Sequence, residues 1–229
     1  MSRLRRNQKS KIIISLIGSE QNYSQYLQVL GPFNTGTNLM YSLLSKKSQS
    51  YKIDFMYKHE INFTTLTSQV QDNRKKYIIM YKPIYNWLYS MQKASYDLKF
   101  MGDNIYGKVL YNGKIYKNII EVYNSYFQMY SKLATNPNVV IINYYKLISD
   151  DGLNYLNKKL DKIGFTNLDI NEFNEALEKP AKNHGQSVKN ASEALERYNR
   201  VNEEYKKKVF NSDLVHSLNA NLYKIFDDL

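Results

Sequence analysis

With 229 residues the chain is long enough to bury a substantial core as one α/β domain, and 32 basic against 21 acidic side chains leave a net charge of +11. That excess suits a polyanion, an anionic nucleotide or an acidic acceptor without selecting among them. The absence of cysteine excludes disulfides and thiolate metal sites, and the Ile12-Ile13-Ile14 run behind the basic Met1–Lys11 stretch is far too short to span a bilayer.

No secretory apolar region precedes a small-residue cleavage site, so a soluble protein of the cytoplasm or another intracellular space is the expectation. Lys11–Ile17 has the β-branched content of a strand, and Gly18–Gln25 reads as a polar turn. Tyr26–Leu30 predicts a further strand, and adjacency makes it the one that leads into Gly31-Pro32-Phe33-Asn34-Thr35-Gly36. Behind that turn Leu39, Met40, Leu43 and Leu44 recur at helical spacing. Tyr51–Tyr57 predicts a second strand around Ile53, Phe55 and Tyr57, with Lys58-His59-Glu60 at its end, and Thr64–Asp72 is short, polar and helical or irregular. The run Tyr77-Ile78-Ile79-Met80-Tyr81 is of central-strand type. Lys82-Pro83 terminates it, and Trp87, Met91, Ala94 and Leu98 predict the helix it feeds.

Phe100–Lys117 carries Gly102, Gly107 and Gly113 and reads as a surface loop or small hairpin, long enough to be a substrate-binding lid. Ile119, Ile120, Tyr123, Phe127, Tyr130 and Leu133 form a helical stripe closed near Pro137, and Val139–Ile142 is a fourth buried strand. Leu153, Leu156, Leu160 and Ile163 make an amphipathic helix stopped by Gly164, and Asn171 is the expected N-cap of a segment through Leu177. A long helix from Ser192 and a last one from Asp213 complete the chain. The order predicts a single α/β domain over residues 1–229, three layers (α/β/α) around a central mostly parallel sheet with a helical C-terminal flank.

The strand, Gly-bounded turn and helix at 27–44 have the form of a phosphate-binding loop, where backbone N–H groups and a helix N-terminus meet an anion. Gly31 and Gly36 have the spacing of the nucleotide-binding pattern, but its lysine is replaced by Thr37, followed by Asn38. Such a loop is poorly equipped to activate a γ-phosphate, yet it can clasp a terminal phosphate through backbone donors. The run Gly31 to Thr37 resembles the 5'-phosphosulfate loop of sulfotransferases that use 3'-phosphoadenosine 5'-phosphosulfate (PAPS). Tyr77–Ser90 resembles the same family's second fingerprint, in which a basic residue ends a strand, a proline follows and a serine lies eight positions on; Lys82, Pro83 and Ser90 match it. The family's basic residue is usually arginine, so Lys82 keeps the charge without the bidentate fork.

The resemblance implies a P-loop sulfotransferase-like fold, PAPS as cofactor and adenosine 3',5'-bisphosphate as product. It implies that Pro32, Phe33, Asn34, Thr35, Gly36, Thr37 and Asn38 hold the 5'-phosphosulfate, and that Lys82 and Ser90 hold the 3'-phosphate. Many relatives carry a cation where this chain has Asn34, and many cytosolic members have an adenine-stacking tryptophan where this chain has Leu39. Ile142–Leu147 keeps part of a later strand-end motif, while Lys182, His184 and Gly185 are similar to the loop that closes over the 3'-phosphate and adenine. The resemblance also implies that Lys58, directly after the second strand, offsets leaving-group charge. His59 and Glu60 are the base candidates that the resemblance implies, with His59 favoured because a neutral imidazole needs no unusual pKa to take a proton near pH 7.

The expected activity is sulfuryl transfer from PAPS to an acceptor hydroxyl or amine, with a carbohydrate-like acceptor preferred, and the scheme requires no metal. A non-catalytic or nucleic-acid-binding descendant of the fold is the alternative, with a kinase bearing a degenerate loop behind it. Every one of these residues also has a purely structural reading: a solvated strand-end lysine, a helix-surface serine, a strand-end histidine.

Overall fold

The computed structural model describes residues 26–45, 51–54, 58–62, 75–102, 106–178, 191–210 and 214. Strand β1 (Tyr26–Leu30) runs through the Gly31–Gly36 turn into α1 (Thr37–Ser45), then β2 (Lys52–Asp54) and β3 (Lys75–Tyr81). Helix α2 (Ile84–Lys93) follows β3 directly, and β4 (Lys99–Phe100), β5 (Val109–Tyr111) and β6 (Lys114–Tyr116) precede α3 (Ile119–Leu133). The remainder is β7 (Val139–Asn143), α4 (Tyr144–Leu147), α5 (Gly152–Lys162), α6 (Ile170–Glu178) and α7 (Ala191–Phe210).

Four strands form one sheet in the order β2-β1-β3-β7, every pair parallel, with Leu27 beside Ile53, Val29 beside Ile78 and Ile79 beside Ile141. Side chains alternate across it, as the period of a strand requires. Tyr77, Ile79 and Tyr81 enter a core with Trp87 and Leu88 of α2, Tyr123 and Phe127 of α3, and Val201 and Tyr205 of α7. Ile78 and Met80 enter the opposite core with Met40 and Leu43 of α1, Leu156 and Leu160 of α5, and Phe173 of α6. The described chain is therefore a three-layer α/β/α fold around a parallel sheet, because strands buried on both faces need a helical layer on each.

This topology fixes where ligands can go. The chain steps from β1 outward to β2 on one side and returns to β3 on the other, so the strand order reverses between β1 and β3. At such a switch point the loops after the two strands diverge and leave a crevice at their carboxyl ends. The turn after β1 and the Lys82-Pro83 step after β3 both open there.

Several local expectations shift. The helix after β3 ends at Lys93; Ala94 is extended, and Leu98 packs into the core from a turn rather than from a helical stripe. Asp169, not Asn171, caps α6: its carboxylate takes the N–H groups of Asn171 and Glu172 while the Glu172 carboxylate accepts the Asp169 N–H. That reciprocal pair is a capping box with aspartate in place of serine. The 100–117 stretch contains a hairpin. The β4, β5 and β6 strands pair antiparallel, and Asn112 (φ 48°) and Gly113 (φ 74°) supply the two left-handed residues of a tight hairpin turn. The strand expected at 11–17, the Thr64–Asp72 segment, Phe55, Tyr57, the Lys182–Gly185 loop and all of the last helix except Leu214 lie outside the described residues.

Candidate functional site

The Gly31–Gly36 turn is held by its carbonyls. Gly31 O meets His59 Nδ1 at 2.7 Å, Pro32 O accepts from Thr35 Oγ1 at 2.7 Å, Phe33 O from Trp87 Nε1 at 2.8 Å and Gly36 O from the Met40 N–H at 3.0 Å. With the carbonyls engaged inward, the N–H groups of Gly36, Thr37 and Asn38 have no acceptor among the described residues. They are the open donors at the start of α1, whose end of the helix dipole is positive. Both glycines are required. A Cβ on Gly31 would lie 2.7 Å from the Met80 carbonyl oxygen, and one on Gly36 (φ 89°) would lie 2.5 Å from Tyr144 Cδ2.

Asn34 takes a different place from the rest of the turn. At φ 62° its side-chain amide donates to the carbonyls of Ala94 (2.8 Å) and Ser90 (3.2 Å) at the C-terminal end of α2. It thus gives the Ala94 carbonyl a donor, adds a second one to the Ser90 carbonyl that already accepts the Ala94 N–H (3.1 Å), and pins the turn to that helix.

Across the crevice, Lys82 and Ser90 are brought together as their spacing predicts: Nζ lies 3.3 Å from Ser90 Oγ, just past the end of β3. The Ser90 hydroxyl donates to Asn86 O at 2.9 Å, which turns its lone pairs toward the ammonium. Lys82 is only 8% exposed and lies against the ring faces of Tyr144 (4.4 Å) and Tyr145 (5.8 Å). No carboxylate among the described residues pairs with it. Burial, reinforced by the neighbouring Arg197 guanidinium, pulls its pKa down to about 7.

Arg197 had no signal in the sequence. It is delivered by α7, which is tied to α2 through Asn86: the Asn86 amide donates to Tyr198 O (3.3 Å), and the Tyr145 hydroxyl donates to Asn86 Oδ1 (3.0 Å). Tyr145 and Tyr198 pack with ring centroids 4.3 Å apart, so the wall beside Lys82 is aromatic. Tyr144 touches both halves of the crevice, packing against Gly36 on one side and Lys82 on the other.

The segment after β2 closes the third side. Lys58 donates from Nζ to Asn38 Oδ1 at 2.8 Å, so its charge sits at the open end of α1, and its carbonyl accepts the Gly31 N–H at 2.8 Å. His59 packs on Phe33 with centroids 4.2 Å apart. Burial drives its pKa down to about 4; the Gly31 hydrogen bond opposes this and the Lys58 charge reinforces it. The ring is therefore neutral at pH 7, and because a carbonyl accepts only an N–H, the proton is on Nδ1 and Nε2 keeps its lone pair. The His59 carbonyl is fixed in turn by the hydroxyls of Tyr111 (2.8 Å) and Tyr126 (3.0 Å). Glu60 is differently employed: its Oε1 accepts from the N–H groups of Ile61 (2.9 Å) and Asn62 (2.6 Å) and caps its own turn.

The crevice thus gathers the 31–38 turn, Lys58, His59, Lys82 and Ser90, while Lys182, His184 and Gly185 lie outside the described residues. No protein-family model matches the chain, and no curated protein sequence matches it. Among the described residues no group of three or more His, Asp or Glu is placed to hold a metal, and no helix is long and apolar enough to cross a membrane.

Proposed function

We propose that the protein is a PAPS-dependent sulfotransferase that moves a sulfuryl group to an acceptor hydroxyl or amine. One observation carries the reading: a buried lysine with a serine and an arginine for company, and with no carboxylate paired to it among the described residues, stands across a switch-point crevice from a turn with open N–H donors. A buried cation lacking a counter-ion is destabilising on its own, and an anion seated there relieves it. Two anion cradles flanking one aromatic wall suit a doubly phosphorylated nucleoside better than a singly phosphorylated one.

When bound, the cosubstrate supplies the sulfuryl group, and adenosine 3',5'-bisphosphate is the leaving product. The chain's own residues do the rest. The N–H groups of Gly36, Thr37 and Asn38 bind the 5' end, and Lys58 at the same helix end offsets charge gathering on the bridging oxygen. Lys82, Ser90 and Arg197 bind the 3'-phosphate. His59 Nε2 receives the acceptor proton, as a weaker base than an ordinary imidazole because burial lowers its pKa to about 4, while the Gly31 carbonyl holds the other ring nitrogen in the donating tautomer.

Isothermal titration against adenosine 3',5'-bisphosphate and adenosine 5'-monophosphate tests this reading. The bisphosphate is expected to bind at least roughly tenfold more tightly, since an added charge-assisted phosphate contact is worth about 1.5–3 kcal/mol. Equal weak affinity for the two would overturn it. A second reading rests on Asn34, whose amide is committed to α2 and leaves the turn without a cation of its own. In that reading the protein binds the bisphosphate without catalysing transfer. Tight binding with no release of bisphosphate from PAPS across a panel of acceptors would favour it.

A further inference from the structure

A groove of about 370 Å³ lies beside the segment that follows His59, between that segment, the β5–β6 hairpin and the outer face of α3. Its wall residues include Asn62, Asn112, Lys114, Ser125, Gln128 and Lys132, none of them acidic. We propose that this groove is the acceptor subsite and that it takes an acidic carbohydrate, a glycan bearing carboxylate or sulfate groups; the assignment of the acceptor role rests on the transferase reading above.

The lining carries the chemistry. Two ammonium groups provide charge for an anion, while three amides and a hydroxyl can exchange hydrogen bonds with sugar hydroxyls and ring oxygens. The volume falls within the ordinary range for small-ligand pockets. Single-stranded nucleic acid is the poorer occupant, because its bases are held by stacking on exposed rings. The ring here, Tyr116, is 5% exposed and has the Lys114 ammonium 4.7 Å from its centroid.

The groove is also built rather than incidental. Asn112 and Lys114 flank Gly113 in a hairpin turn whose left-handed residues fix their relative placement. The Tyr116 hydroxyl hydrogen-bonds Ser125, joining hairpin to helix, and the Glu60 carboxylate is turned to its own backbone at Ile61 and Asn62. Ile61 lines the groove two residues after His59, so the groove begins within roughly 7 Å of the His59 Cα along the chain.

The test uses the full-length protein and a fluorescent heparin hexasaccharide, with maltohexaose and a single-stranded RNA of equal charge as competitors. Because a chain of charge +11 attracts polyanions generally, the readout is the difference between two charge-matched variants. Lys114→Ala/Lys132→Ala is expected to weaken hexasaccharide binding roughly tenfold or more, about one charge-assisted contact, while Lys206→Ala/Lys207→Ala on α7 leaves it unchanged. Maltohexaose is expected not to compete. Equal weakening by both variants, competition by maltohexaose at the same concentration, or preferential displacement by the RNA from the Lys114/Lys132 groove would each overturn the proposal. Adenosine 3',5'-bisphosphate titrated in parallel separates the two claims. If it binds normally while the hexasaccharide ignores the groove, this inference fails alone; if the hexasaccharide needs the groove and the bisphosphate does not bind, the transferase reading fails and a glycan site remains.

Discussion

On the proposed reading, Lys82 is the residue on which stability and binding oppose each other. Its pKa of about 7 means that the unfolded chain holds a proton that the folded chain lacks between about 7 and 10.5. Stability from this group therefore rises with pH across that window, and the full cost of burying the charge is borne below it. Lys82→Met, which keeps the length and removes the charge, is expected to raise stability at pH 6 by about 1–2 kcal/mol in urea titrations. The same variant should lose the preference for bisphosphate over monophosphate. Since only the ammonium form attracts an anion, wild-type affinity for the bisphosphate is expected to fall as pH rises above about 7. His59 titrates in a lower range. Its pKa falls to about 4 from 6.5, so its contribution is complete above 6.5 and is lost as pH drops through 4. Comparing wild type with His59→Gln at pH 7 and pH 4, the wild type should lose up to about 3 kcal/mol more on acidification, since each tenfold weakening of proton affinity on folding corresponds to about 1.36 kcal/mol.

At the scale of elements, the turn after β1 and helix α2 form one structural unit. The Asn34 amide closes the end of α2, and the Trp87 indole of α2 closes the Phe33 carbonyl in return. Asn34→Ala should therefore cost about 1–2 kcal/mol by leaving the Ala94 carbonyl without its donor, a loss of structure rather than of a ligand contact. Gly36→Ala is expected to be worse, because it meets both a left-handed φ and the Tyr144 ring. A cycle with Tyr144→Ala, read by thermal unfolding, should recover the collision and not the backbone strain. Much of this unit was legible in the sequence. The apolar run ending at Lys82-Pro83, the Gly31/Gly36 spacing and the Lys82/Ser90 pair are local patterns, and local patterns survive folding. The role of Asn34 was not legible, because the carbonyls it meets lie 56 and 60 residues away. Arg197 is a helix-surface arginine until α7 docks on Asn86, and the choice of Asp169 over Asn171 as cap turned on a two-residue shift that periodicity does not resolve.

For the whole molecule, the parallel order β2-β1-β3-β7 converts three separate stretches of sequence into one site. The turn after β1, the Lys58-His59 pair after β2 and Lys82 after β3 meet only because the strand order reverses between β1 and β3. A ligand that bridges the crevice therefore clamps β1 to β3 and, through Arg197, α7 to both. Such a ligand stabilises the folded chain by mass action, about 2.7 kcal/mol at a hundredfold excess over its dissociation constant. The bisphosphate should raise the thermal midpoint by several degrees. Adenosine 5'-monophosphate at equal concentration should raise it less, because it leaves the Lys82 charge uncompensated. Ser90→Ala and Arg197→Ala test whether that difference arises at the far end of the crevice: each should bring the bisphosphate shift toward the monophosphate shift and leave the monophosphate shift as it was. If both variants lowered the two shifts equally, the nucleotide would be held at the turn alone, and the crevice would not act as a two-ended clamp.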